Sequence, residues 1–183
     1  MATVQADQLA EFFAAVGKRT KPDLDVVTRR DILERMHLCS SEPEAVTYAE
    51  VDAGGVPAMW CIPAGCDDDT VMMWNHAGGT VVFSMHSDRK TAGHLAKAAG
   101  IRALVLDFRH SPENKFPAQQ DDVEFAGRAK AAGLDVGLHS IPAGQHLFLL
   151  GAGRVPETDA AITEMGRWLR SKLGLGLAAL PVG

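Results

Sequence analysis

Residues 70–79 read T-V-M-M-W-N-H-A-G-G, Thr70 to Gly79. The first six suit a buried strand, Thr70 to Asn75, because they are rich in apolar and β-forming types. His76, Ala77, Gly78 and Gly79 then suit a tight turn. Two adjacent glycines let a backbone reverse sharply and aim its N–H groups outward. Such N–H groups can hold an oxygen on which negative charge develops.

Working outward, residues 84–99 read as a helix, with Ser84 or Ser87 as its cap and Gly100 as its terminating glycine. Its apolar side carries Ala92, Leu95, Ala96 and Ala99. Ile101 to Phe108 is nearly continuous in apolar residues, as a strand covered on both faces should be. Strand, turn, helix and strand form one βαβ unit of a parallel sheet. Upstream, Val46 to Asp52 and Ala58 to Pro63 flank Gly54-Gly55 and suit an antiparallel hairpin. Cys66 to Asp69 suits a polar turn. Three consecutive carboxylates without a histidine at ligand spacing suit a solvated loop, so no metal is expected. His86 and His94 are about two turns apart, too far for one ion, and read as surface histidines.

Residues 1–40 read as helical. Leu9, Phe12, Phe13 and Val16 form an amphipathic stripe, and a second helix is expected from Thr28 to His37, with Thr28 near its start. Downstream, a helix over residues 121–132, a strand over 134–141 and a last helix from Pro156 to Leu173 follow. Pro156 suits a first turn, and Ile162, Met165, Leu169 and Leu173 form the buried stripe.

The chain of 183 residues carries a net charge of −5 and 22% charged residues. That balance argues against nucleic acid and anionic membrane surfaces as partners. No stretch has transmembrane length or a signal-peptide pattern, and three cysteines without metal-like pairing suit a reduced, cytoplasmic setting.

The H-A-G-G turn, followed after the second strand by D-F-R-H-S-P-E (Asp107 to Glu113), resembles the hormone-sensitive-lipase-like branch of the α/β-hydrolases, a family of carboxylesterases and lipases. That family usually has three glycines after the histidine and aspartate-tyrosine-arginine-leucine-alanine-proline-glutamate after the strand. The resemblance implies a three-layer α/β/α sandwich around a mostly parallel mixed sheet. It divides the chain into cap-like helices at 1–40, a shortened hydrolase domain at 41–174 and a flexible tail at 175–183. Two surface helices are the other reading of the first segment.

By resemblance, Gly78 and Gly79 supply the oxyanion hole, and His146 in P-A-G-Q-H-L-F is the catalytic base. An ordinary loop histidine is the other reading of His146. His76, Ala77, Arg109 and Glu113 support the site, with Arg109 and Glu113 bracketing Pro112 to hold its turn. Ala77 stands where the family has another glycine. No G-x-S-x-G occurs in the 183 residues, and the family's acid has no counterpart either. The family pattern runs from Val46 to about Asp122 and resumes near Glu124. The block that carries serine and acid in the family is expected to be missing around residues 121–125.

Three readings stand at this point: an esterase-lineage protein that is weak or inactive, a non-catalytic module binding an acyl or carboxylate ligand, and a hydrolase with a replacement nucleophile such as Ser140. Ser111, Cys61 and Cys66 are weaker candidates for that role. No cofactor is expected. The ligand is a small-molecule ester or acyl group. The last strand should pair with Thr70–Asn75 and bring His146 to the sheet edge that carries Gly78. A homodimer through the last strand and helix follows from the resemblance.

Overall fold

The computed structural model describes residues 3–114 and 148–176. The helix and strand expected between 121 and 141, together with Ser140, His146 and the tail beyond 176, lie outside the described residues. So does the expected pairing of the last strand.

The hairpin forms as the sequence suggests. β1 (Val46–Asp52) and β2 (Pro57–Pro63) pair antiparallel from Val46↔Pro63 to Asp52↔Pro57. β3 (Asp67–Asn75) and β4 (Ile101–Leu106) are parallel, and β2 joins β4 antiparallel. The order is β1-β2-β4-β3, a mixed sheet. α3 lies between β3 and β4 in the chain; we number the helices α1 (Val4–Arg19), α2 (Val26–Glu34), α3 (Met85–Ala99) and α4 (Pro156–Lys172).

Three local expectations are corrected. Asp67 to Asp69 is not a turn ahead of the strand but the start of β3. A register shift between Asp67 and Val71 absorbs it. Asp67 accepts from Asp69 N–H (2.9 Å) and Thr70 Oγ1 (2.7 Å), so its carboxylate serves backbone that the bulge takes out of the ladder. Second, α2 begins at Val26, because Asp25 rather than Thr28 caps it, accepting from Thr28 N–H at 2.9 Å. Its expected continuation is a 3₁₀ turn, Arg35–Cys39. Third, β3 is not the buried strand of the pair. Val71 is 44% exposed, while Ile101, Ala103 and Val105 of β4 are at most 1% exposed. Among the described strands β3 has a neighbour on one side only, and β4 has two.

α3 covers one sheet face. Ala92 and Ala96 pack on Met59, Cys61, Ala103 and Val105. α4 packs outside α3 through Leu95, Ile162, Met165 and Leu169. Gly166 lets the two helices close up, since a Cβ there would sit 2.6 Å from the Ala98 carbonyl carbon. α1 and α2 lie over the end of the sheet. Phe13, Val16 and Leu33 pack with Met36, Val82, Phe83 and Leu150, and with Ala77 and Val81 of the loop after β3. Phe13 and Val16 of the expected stripe thus pack in the cluster that holds Val82 and Phe83 after the glycine turn, while Phe12 stays 36% exposed. No helix among the described residues is long and apolar enough to cross a membrane.

Candidate functional site

The turn after β3 is held at Ala77 and at the Gly78 carbonyl. His76 is buried, stacked on Phe108 with centroids 4.0 Å apart and edge-on to His110. Its Nδ1 lies 2.7 Å from the Ala77 carbonyl. A carbonyl can only accept, so Nδ1 carries the hydrogen. The Ala77 N–H donates to Asp88 Oδ2 (3.0 Å), an oxygen that also accepts from Trp74 Nε1 (2.9 Å). Ala77 is therefore gripped on both sides. In a trans peptide the Gly78 N–H points opposite to the Ala77 carbonyl, so the histidine bond aims the Gly78 N–H away from the histidine.

Gly78 has φ +110°, and a Cβ there would lie 2.0 Å from the Val82 carbonyl oxygen. Gly79 follows at φ +58° with open space around it, and Thr80 continues at +66°. Ala77 is not among the positive-φ residues, so an alanine there costs no left-handed strain. The Gly78 carbonyl accepts from Val81 N–H (3.1 Å), closing the turn. Among the described residues, neither the Gly78 nor the Gly79 N–H meets a hydrogen-bond acceptor. The turn leaves two successive donors available to an anionic oxygen.

Asp88 comes from the first turn of α3 and is 3% exposed. Burial pushes its carboxyl above the usual range, and the bonds from Trp74 and Ala77 work against that rise. Its Oδ1 has no partner, and neither has His76 Nε2, 3.8 Å from Asp107 Oδ1. Asp107 Oδ1 accepts from Met85 N–H (3.0 Å), so the residue just after β4 also caps α3 beside Ser84.

Arg30 of α2 ties the loops together. Its guanidinium donates to the carbonyls of Val81 (2.6 Å) and Ser111 (2.7 Å) and to both Glu113 oxygens at 2.8 Å. Ser111 N–H meets Thr80 O at 2.9 Å. Arg109 is exposed, and Glu113 turns to Arg30, whose planar fork matches a carboxylate in two bonds. That pairing lowers the Glu113 carboxyl to about 2.

The other candidate nucleophiles sit poorly for the role. Cys61 is fully buried with its thiol pushed up to about 12 by burial, so it holds little thiolate. Ser111 Oγ is 3.4 Å from the Asn114 carbonyl, within its own loop. His94, expected at the surface, is half-buried with Nε2 3.1 Å from Ser41 O. The described residues hold no cluster of metal-ligating type.

Asp88 and Arg30 were not singled out from sequence. Asp88 had a signal: it precedes Ala92 by four and Leu95 by seven, a carboxylate inside an apolar stripe. Arg30 had none, since its partners lie 51 to 83 residues away.

A profile of the α/β-hydrolase fold matches residues 72–128. An acetyl-hydrolase of Streptomyces hygroscopicus is 36% identical over 78 residues, which are 43% of this chain and 26% of that protein. A variant of the esterase E40 superimposes with TM-score 0.63 at 31% identity, covering 73% of this chain and 45% of that one. An esterase of the bacterial hormone-sensitive lipase family gives TM-score 0.61 at 31% identity, covering 74% and 45%. The chain thus spans less than half the length of these relatives. The profile match opens inside β3 at Met72 and takes in the glycine turn, the capped helix α3 and β4. In that core the chain is similar to the α/β-hydrolase fold, and its solved relatives include an esterase of the bacterial hormone-sensitive lipase family.

Proposed function

We propose that this chain carries the oxyanion-binding part of a carboxylic ester hydrolase of the hormone-sensitive-lipase-like branch, and that by itself it hydrolyses esters weakly or not at all. The observation that carries the reading is the turn at Gly78 and Gly79, whose two N–H groups lack acceptors while Asp88 and His76 hold the preceding peptide. His146 is the base in this reading, by its place in the family motif. The 183 residues contain no serine elbow, and an oxyanion hole with binding alone leaves on the order of 10³–10⁴-fold over water. The first segment, 1–40, then acts as a cap: Phe13, Val16 and Leu33 pack in the cluster that holds Val82 and Phe83 of the loop that leaves the turn. Three free cysteines support a reduced cytoplasmic setting. A homodimer remains part of this reading through the family likeness.

The test is hydrolysis of p-nitrophenyl acetate and butyrate by purified protein beside His146→Ala. We expect equal, near-background rates and no mass increase with a fluorophosphonate. Turnover that vanishes with His146→Ala would overturn the proposed inactivity and place a working nucleophile within these residues.

The same free N–H pair favours a second reading, a binding module for an acyl or carboxylate ligand. Saturable thermal stabilisation by butyrate without turnover, lost in Gly78→Ala, would support it.

A further inference from the structure

A groove of about 370 Å³ runs between α1, the 3₁₀ turn Arg35–Cys39 and the start of α4, and no residue of the glycine turn lines it. Leu9, Phe12, Leu38 and Val155 make its walls apolar, with Cys39 at one side. Its floor is built by close packing: a Cβ on Gly151 would lie 2.7 Å from Val155 Cγ2 and 3.0 Å from Leu9 Cδ2. Phe12 is 36% and Leu38 56% exposed, so apolar surface faces water there.

Polar groups stand at the rim. Gln5 and Gln8 line one wall, and Arg154 is the one charged side chain in the lining. The nearby carboxylates of α4 are already engaged. Glu157 accepts from Thr3 N–H and Thr3 Oγ1, both at 2.8 Å, and Asp159 accepts from Gly153 N–H at 2.7 Å. Those bonds also tie the start of α1 to the start of α4, so the groove walls are held in place. Among the described residues the Arg154 guanidinium has no hydrogen-bond or ion-pair partner. In a chain of net charge −5, an apolar groove whose sole charge is an unpaired guanidinium selects an anion with an apolar tail.

We propose that this groove binds an aliphatic carboxylate, its chain laid along Leu9, Phe12 and Leu38 and its head group on Arg154. The proposal does not depend on whether the glycine turn is catalytic.

Calorimetric titration of the full chain with sodium octanoate, below its micelle concentration, tests it. Saturable one-to-one binding is expected, with octanol weaker. Arg154→Gln should weaken octanoate by about tenfold or more, the cost of one charge-assisted contact, and leave octanol unchanged. Leu38→Glu should weaken octanoate too, since it sets a like charge at the mouth. Both positions are exposed, so neither change threatens folding. Saturating octanoate should also slow N-ethylmaleimide labelling of Cys39, read by peptide mass. Octanoate binding that survives both substitutions, or that leaves Cys39 labelling unchanged, would place the ligand elsewhere, the glycine turn included, and overturn the proposal. Absence of saturable binding overturns it as well.

Discussion

At the scale of single residues, the site depends on two glycines that differ in what they tolerate. Gly78 needs both its φ of +110° and the absence of a side chain, because the Val82 carbonyl occupies the Cβ position. Gly79 needs only its φ of +58°. A left-handed alanine costs about 1–2 kcal/mol. Gly79→Ala should cost that much in urea unfolding, and Gly78→Ala clearly more, because backbone must also move. Equal losses would mean that the Val82 contact yields freely.

Asp88 gives a pH signature. Its folded pKa is raised, by burial first, so the folded state binds more protons than the unfolded one between the ordinary carboxyl value near 4 and the folded value. Stability from this group is therefore full below about pH 4 and is lost as the pH rises through the folded pKa. Relative to Asp88→Asn, the wild type should gain stability as the pH falls from neutral towards 4. A flat difference across paired unfolding curves would show Asp88 to be an ordinary carboxylate.

At the scale of elements, α2 is joined to the sheet end mainly by Arg30, with Glu34 accepting from Ser84 Oγ at the start of α3. α2 itself buries no residue fully, and its short length makes it marginal alone. Arg30 supplies bonds to two separate stretches, at Val81 and at Ser111 with Glu113. Arg30→Ala should therefore speed amide exchange in α2 and in the Val81–Phe83 loop, with α3 left protected. Part of the effect should appear in the native protein at high salt, which screens the half-exposed ion pair. Uniform exchange changes across α2 and α3 would instead indicate global destabilisation. α2 also sends Leu33 into the cluster against which Ala77 and Val81 pack, on either side of the glycines.

At the scale of the whole molecule, several carboxylates tie distant parts together. Glu113 with Arg30 and Glu157 with Thr3 span 83 and 154 residues, and both have lowered pKa values caused first by those partners. A lowered pKa contributes stability above the unfolded value near 4.3 that is lost as the pH falls through the folded value. For Glu113 the loss runs from there to about pH 2. Acid unfolding should accordingly steepen in that range, and Glu113→Gln should soften it while lowering stability at neutral pH. An unchanged acid transition would mean that solvent screens these exposed pairs away.

What the sequence determined by itself were the features written within a few residues: the hairpin around Gly54-Gly55, the capped helix that follows Ser84, the glycine that ends it at 100, most of the amphipathic stripes (Phe12 and Leu173 are exposed) and the motif around Gly78. Periodicity, caps and turn chemistry are local, so the chain states them directly. The strand order, the exposure of β3, the Asp88 grip on Ala77, the Arg30 latch and the groove under Arg154 were decided only in the tertiary structure. Each joins groups far apart in sequence or depends on which side of a sheet is left without a neighbour. Such pairings follow from packing, where a carboxylate takes whichever donor the fold brings within 3 Å, and no local pattern records the choice.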